Sequence, residues 1–259
     1  MRTEVITSVQ NPKIKNLLLL QEKSRARREQ GLFVVEGRRE LEHCLEAGFR
    51  VRTVFYCPEL AGDCPKFDGN VIEIPAELYS RIAYRESTEG LMAEVEVKER
   101  TLESLSLREN PVVMVLEAVE KPGNLGAVLR SADAAGADAV ILCDPLTDLY
   151  NPNLIRASIG AVFTVPVVAA PSAEVIAWLK AKKIRILTAQ LQDSSLYYDT
   201  DMRGGVALVM GTESTGLTPS WRKAADAHIR IPMNGRLDSL NVSVSAAILL
   251  YEAVRQRQG

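Results

Sequence analysis

Three clusters in the second half of the chain carry residue types whose spacing suits ligand binding. The first is EKPGNLGAVLRSADAAGAD, residues 120–138. Pro122 and Gly123 force a turn after an apolar run, and Asn124 can cap the helix that follows. A strand–turn–helix junction offers free backbone amides to an anion, and Arg130, about one and a half turns on, can add a charged fork. The second is LVMGTESTGLTP, residues 208–219. Gly211 and Gly216 allow sharp turns after a buried strand, and Glu213 stands at its C-terminal end, where open α/β sheets bind ligands. The third is IPMNGRLDSLNVSVSAAILLYEA, residues 231–253. It reads as a strand, a turn and a final helix, with Ser239 and Asn241 where small polar side chains cap naturally. Ser243 and Ser245 fall inside the early helix among small residues. That surface suits close packing against another backbone, and a contact between two copies of the chain fits it.

Each cluster also has a plain structural reading. A glycine-rich turn is ordinary geometry, Glu213 can cap the short helix near Pro219, and Ser239 and Asn241 can do nothing but start a helix. The first cluster lacks the GxGxxG spacing of a dinucleotide site, which argues against a nucleotide-cofactor oxidoreductase. Histidine offers little: His43 falls within a helical pattern and His228 opens a strand, so the chemistry does without histidine. The cysteines Cys44, Cys57, Cys64 and Cys143 form no CxxC pair. They read as reduced, mostly buried thiols and not as a metal site.

The elements that must position these clusters have two textures. From Pro111, the runs PVVMVLEAV, DAVILCD, VPVVA, IRILTAQ, GVALVMG and HIRIPM alternate with helical patterns. Near-continuous apolar strands alternating with helices predict a parallel α/β sheet. Before it, one helix runs from Asn11-Pro12 to about Gln30. Strands FVVEG, VRTVFYC, VIEIP and LMAEVEV and helices RRELEHCLEAG and AELYSRIA follow, making a compact α/β unit. The expected division is 1–100, a linker at 101–110, and 111–259.

Bulk properties narrow the classes further. Apolar residues at 47% and charged residues at 25% suit a globular protein, and no apolar run reaches the roughly 18–20 residues of a membrane helix. The first residues carry polar and acidic groups where a secretory signal would be apolar, so a cytoplasmic location is expected. A net charge of −2 argues against indiscriminate polyanion binding. Between Lys13 and Arg39, however, Lys13, Lys15, Lys23, Arg25, Arg27, Arg28, Arg38 and Arg39 face only Glu22, Glu29 and Glu36. Such a local excess makes either a phosphate-facing patch or a solvated helix face.

In order and spacing, NxGAxxRSAxxxG, LVMGxExxGL and IPMxGxxxSLNVSVSAA resemble the three signature motifs of the SpoU/TrmH branch of SPOUT RNA methyltransferases. The likeness spans about residues 111–257. The segment ITSVQNPKIKNLLLL…RREQGLFVVEGRRELEHCLEAG resembles that branch's small substrate-binding domain, itself similar to RNA-binding ribosomal proteins. The resemblance implies a deep trefoil knot, against the usual rules of chain topology. It also implies S-adenosylmethionine bound in a bent form and a homodimer through the C-terminal domain. Carried over by motif, Gly211, Ile231 and Leu240 hold the cofactor, with Val209 and Met233 beside them. Arg130 matches the catalytic arginine, and Asn124, Glu213, Ser239 and Asn241 match the other polar positions. In this reading Asn124 and Glu213 orient Arg130 and the ribose. RNA contacts are expected from Lys13, Lys15, Arg25, Arg28 and Arg38. The implied activity is 2′-O-ribose methylation of RNA, ribosomal RNA before transfer RNA because of the extra N-terminal domain. An RNA-binding protein without catalysis is the remaining alternative.

Overall fold

The computed structural model describes residues 4–84, 89–212, 215–236 and 239–258. After a short strand β1 (Glu4–Val5), the Asn11 side chain accepts the Lys13 amide at 2.9 Å, and Pro12 opens helix α1 (Pro12–Glu22). The single helix expected to reach Gln30 is broken at Lys23, whose backbone is extended, and it restarts as α2 (Ser24–Gln30). Arg27 is the reason. Its guanidinium donates to the Leu20 and Gln21 carbonyls at 2.6 and 3.1 Å, satisfying acceptors that the broken helix leaves open. Gly31, with φ of 63°, then ends α2 in the left-handed conformation.

Next come β2 (Leu32–Glu36), α3 (Arg38–Glu46), β3 (Val51–Tyr56), α4 (Pro58–Ala61), β4 (Asn70–Glu73), α5 (Ala76–Ile82) and β5 (Leu91–Glu96). The sheet order is β1-β4-β3-β5-β2, with β5 antiparallel to both its neighbours and the other pairings parallel. Ile14, Leu17 and Leu20 of α1 pack on the face presenting Val34, Phe55, Ile72 and Met92.

The later elements are β6 (Val112–Glu117), α6 (Pro122–Ala134), β7 (Ala139–Cys143), α7 (Pro152–Ser158), α8 (Ala161–Thr164), β8 (Val167–Ala170) and α9 (Ser172–Ala181). They continue with β9 (Arg185–Ala189), β10 (Ser195–Leu196), β11 (Val206–Met210), α10 (Pro219–Ala224), β12 (Ala227–Arg230) and α11 (Val242–Gln258). Seven strands pair in the order β10-β12-β9-β11-β6-β7-β8, all parallel, as the alternating pattern predicts. Their core holds Val113, Val115, Ile141, Val168, Ile186, Val209 and Trp221. Residues 101–110 are not bare chain: Leu102 sits in a short 3-10 turn and enters this core. Arg108 binds Asp138 at 2.8 Å, and the Val112 amide binds the same carboxylate at 2.8 Å. Burial alone would raise the Asp138 carboxyl, but these hydrogen bonds outweigh it and hold it below the usual range. Cys44, Cys57 and Cys143 are buried, and burial pushes the Cys44 and Cys143 thiols up to about 12.

By contact, the chain forms two compact units. The first holds the described residues up to Glu99 with Asp148–Thr164, and the second holds Arg100–Thr147 with the described residues from Val165 on. Asp148–Thr164 thus joins the first unit although it lies between β7 and β8 in sequence. Tyr150 stacks on Phe33 with centroids 4.2 Å apart, and Phe163 packs on Phe33 and Phe49. His43 of α3 meets Gly160 so closely that a Cβ there would lie 2.7 Å from Nδ1. Asp148 accepts from Arg27 at 2.6 Å, with the Arg27 side chain only 4% exposed. Removing one partner of a buried pair strands the other charge. Asp148→Ala is therefore expected to lower the unfolding free energy by about 3 kcal/mol in urea titration. Glu29→Ala, which breaks the exposed Arg25–Glu29 pair, should cost about 0.5 kcal/mol or less.

Candidate active site

Because β11, β9 and β12 are adjacent and parallel, the chain leaves all three at the same edge of the sheet. The segments that follow them converge on a cavity of about 530 Å3. Gly211, Ile231, Met233, Ser239 and Leu240 line it, as expected from the motifs. Val209 does not: strand alternation turns its side chain into the core, and Met210 reaches the cavity instead. Glu213 lies outside the described residues.

The turn after β11 is built from threonine and glycine. Thr212 Oγ1 accepts the Thr215 amide at 3.0 Å, the Gly216 amide donates to the Thr212 carbonyl at 3.1 Å, and Gly216 has φ of 67°. Gly211 is required by close approach, since a Cβ there would lie 2.3 Å from the Gly216 carbonyl carbon and oxygen. The buried Glu117, at the end of β6, anchors the far side of the turn. Its carboxylate accepts from the Thr218 amide at 2.8 Å, the Thr218 hydroxyl at 2.7 Å and the Ser172 hydroxyl at 3.3 Å. Sequence reasoning missed Glu117, whose only signal is an acid closing an apolar run.

Gln190 and Gln192, just after β9, also line the cavity and were missed. Arg222 of α10 holds both: Nε donates to the Gln190 side-chain oxygen at 3.0 Å, and Nη2 donates to that of Gln192 at 2.7 Å. Their signal was position alone, at the C-terminal end of a parallel strand. His228 is structural, with Nδ1 2.6 Å from the Thr188 hydroxyl within the sheet.

A second group of motif residues meets where α11 packs on α6. Asn241 caps α11 as expected, its Oδ1 accepting from the Ser243 amide at 3.0 Å and hydroxyl at 2.6 Å. Its Nδ2 donates to Asn124 Oδ1 at 3.1 Å. Asn124 is not itself a cap. Pro122, with its preset φ, starts α6 earlier, so Lys121 takes the cap position and Asn124 sits inside the first turn. Arg130 is exposed on α6 and, among the described residues, makes no hydrogen bond or ion pair. It lies roughly 240° around the helix from Asn124, so one chain does not place Asn124 to orient it. The small-residue face of α11 is used within the chain, with Ala246 and Ala253 buried, while Val244 and Tyr251 remain exposed.

The basic run is less free than its composition implies. Lys13 pairs with Glu4, and Arg25 with Glu29 at 2.6 Å. Arg38 donates to the Ala61 carbonyl at 2.9 Å and to Asp63, which ties it to its own unit. Lys15 and Arg28 are exposed without a hydrogen bond or ion pair among the described residues. Gly211→Ala is expected to destabilise the protein by about 2 kcal/mol through overpacking against backbone. Gly123→Ala, where a Cβ meets nothing within 4 Å, should be neutral or slightly stabilising in the same urea titration.

Known proteins resemble this chain in sequence and in fold. Residues 111–251 match the model of the SpoU rRNA Methylase family, and residues 11–93 match the MRM3-like substrate binding domain. The 23S rRNA (uridine(2479)-2′-O)-methyltransferase of Streptomyces viridochromogenes is 32% identical over 241 residues, covering 88% of this chain and 84% of that protein. A crystal structure of an RNA 2′-O ribose methyltransferase is 39% identical and covers 98% of this chain and 100% of its own, with a TM-score of 0.84. The AdoMet-bound rRNA methyltransferase of Sinorhizobium meliloti is 30% identical, covers 98% of both chains and has a TM-score of 0.89. With more than half its length matched by the family model, the chain belongs to the SpoU rRNA methylase family.

Proposed function

We propose that the protein methylates the 2′-hydroxyl of a ribose in RNA, ribosomal RNA above all, using S-adenosylmethionine. The observation that carries this reading is the cavity at the ends of β9, β11 and β12, lined by Gly211, Ile231, Met233 and Leu240. Its volume of about 530 Å3 lies within the range of roughly 300–1,000 Å3 typical of small-ligand sites. The donor set fits the cofactor. Met210, Leu217, Ile229, Ile231 and Leu240 offer an apolar bed for a planar base, and Gly211 lets backbone come close to it. When bound, the cofactor supplies an electrophilic methyl group on its sulfonium.

The chain's own residues do the rest. Glu117 and Arg222 hold the turns that shape the cavity, through Thr218 and through Gln190 and Gln192. The Asn124–Asn241 pair fixes the start of α11 against α6, next to the cavity residues Leu240 and Val242. Arg130 carries the reaction's charge chemistry. A guanidinium has five donors and no acceptor, so it holds an RNA phosphate and polarises the hydroxyl, and the released proton passes to solvent. Placing the nucleophile in line can by itself contribute several kcal/mol.

In this reading the second unit carries the family's deep trefoil knot, with the cofactor bent within it. Residues 111–259 form the methyl-transfer domain, and residues 1–100 select the RNA through Lys15 and Arg28. The homodimer forms through the C-terminal unit, supported by the exposed Val244 and Tyr251 of α11. Among the described residues no helix is long and apolar enough to cross a membrane, and a cytoplasmic site of action fits ribosomal RNA. Correspondence with rRNA methyltransferases over nearly the whole chain favours ribosomal over transfer RNA. Arg130→Ala is expected to lower transfer of tritiated methyl to ribosomal RNA at least about a hundredfold. Its cofactor dissociation constant by calorimetry should stay within about twofold of wild type. Retained turnover would overturn the assignment of Arg130.

A further inference from the structure

The first unit holds a cavity of about 830 Å3 that none of the roles above uses. It opens where the apolar face of the five-stranded sheet turns polar. Asn70, Thr53, Glu94 and Val34 are direct cross-strand partners on β4, β3, β5 and β2, so they form one row on one face. The neighbouring positions two residues along, Ile72, Phe55 and Met92, are core. Alternation therefore puts Glu94 where the pattern calls for an apolar side chain.

Glu94 is only 8% exposed. Its Oε1 accepts from Asn16 Nδ2 at 3.2 Å, and among the described residues Oε2 has no partner and the carboxylate has no ion pair. Burial pushes this carboxyl above its usual range. A carboxylate so buried is normally paired or richly hydrogen-bonded. The relay beside it is fixed: Gln30 Nε2 donates to Asn16 Oδ1 at 2.9 Å, which orients the Asn16 amide toward Glu94. Lys13 and Arg52 line the same cavity and their charges act on Glu94, but among the described residues Asn16 alone hydrogen-bonds its carboxylate, which leaves Oε2 open to a ligand's donors. The lining carries three acids, Glu4, Glu73 and Glu94, against two bases, Lys13 and Arg52, and Lys13 is already paired with Glu4, so the balance of charge disfavours a phosphate inside.

We propose that this cavity receives an unpaired guanine of the RNA substrate, with the Glu94 carboxylate accepting from its N1–H and 2-amino group. The inference rests on the reading of the protein as an RNA enzyme. Guanine presents two adjacent coplanar N–H donors, which match a carboxylate in the bidentate way that amides and guanidinium groups match bases. Adenine and uracil lack that pair of donors. The site reads a base edge, so it adds specificity that phosphate contacts do not carry.

The test uses the full chain and fluorescence anisotropy at one fixed salt concentration. The probes are two uridine hexamers, one carrying a single central guanosine and the other inosine, which lacks the 2-amino group. Wild type is expected to bind the guanosine RNA on the order of tenfold more tightly. In Glu94→Gln that preference should vanish, with cofactor affinity and urea midpoint unchanged. If Glu94→Gln shifts the midpoint, Asn16→Ala takes its place and should likewise reduce the preference. Equal binding of both RNAs by wild type, or a preference surviving in these variants, overturns the guanine site and leaves the methyltransferase reading intact. Wild type that binds neither RNA and transfers no methyl to ribosomal RNA overturns both.

Discussion

Parallel pairing of β11 with both β6 and β9 is the constraint on which the rest of the second unit depends. Strands that run the same way must be joined by long crossovers, and all their C-terminal ends fall at one edge. That edge gathers residues far apart in sequence, from Gln190 through Gly211 to Leu240, around one cavity. Glu117 reinforces it from the end of β6 by gripping Thr218 and Ser172. A buried carboxylate taking several hydrogen bonds is rigid, and that rigidity fixes the turns around the cavity.

Much of this was legible in the sequence. β6, β7 and β11 announce themselves as short apolar runs because both faces of a parallel sheet are covered. Caps at Asn11 and Asn241 follow from local chemistry. Features that depend on distant partners were not legible. The break at Lys23 exists because Arg27 satisfies the carbonyls it exposes while holding Asp148, and no local pattern encodes that. The allegiance of Asp148–Thr164 to the first unit depends on the stacking of Tyr150 on Phe33.

The candidate site shows the same division. Gly211, Ile231, Met233 and Leu240 were found by motif, and the cavity collects them. Val209 departs from expectation by one step of strand alternation, and Asn124 lies inside the helix and not at its cap because Pro122 already starts it. Charge counting overstated the basic patch. Arg27 and Arg38 are held by carbonyls and carboxylates of their own unit, and Lys15 and Arg28 stand free among the described residues.

In the proposed reading, function divides along the chain: polar reading of RNA in the first unit, and methyl transfer at the edge of the parallel sheet in the second. The most direct measurement is a map of 2′-O-methyl positions in total RNA from cells with the gene, without it, and with it restored. The expected result is a ribose methylation in ribosomal RNA that is lost with the gene and returns with wild type but not with Arg130→Ala. Identical maps in all strains would contradict the assignment of this chain as an RNA ribose methyltransferase.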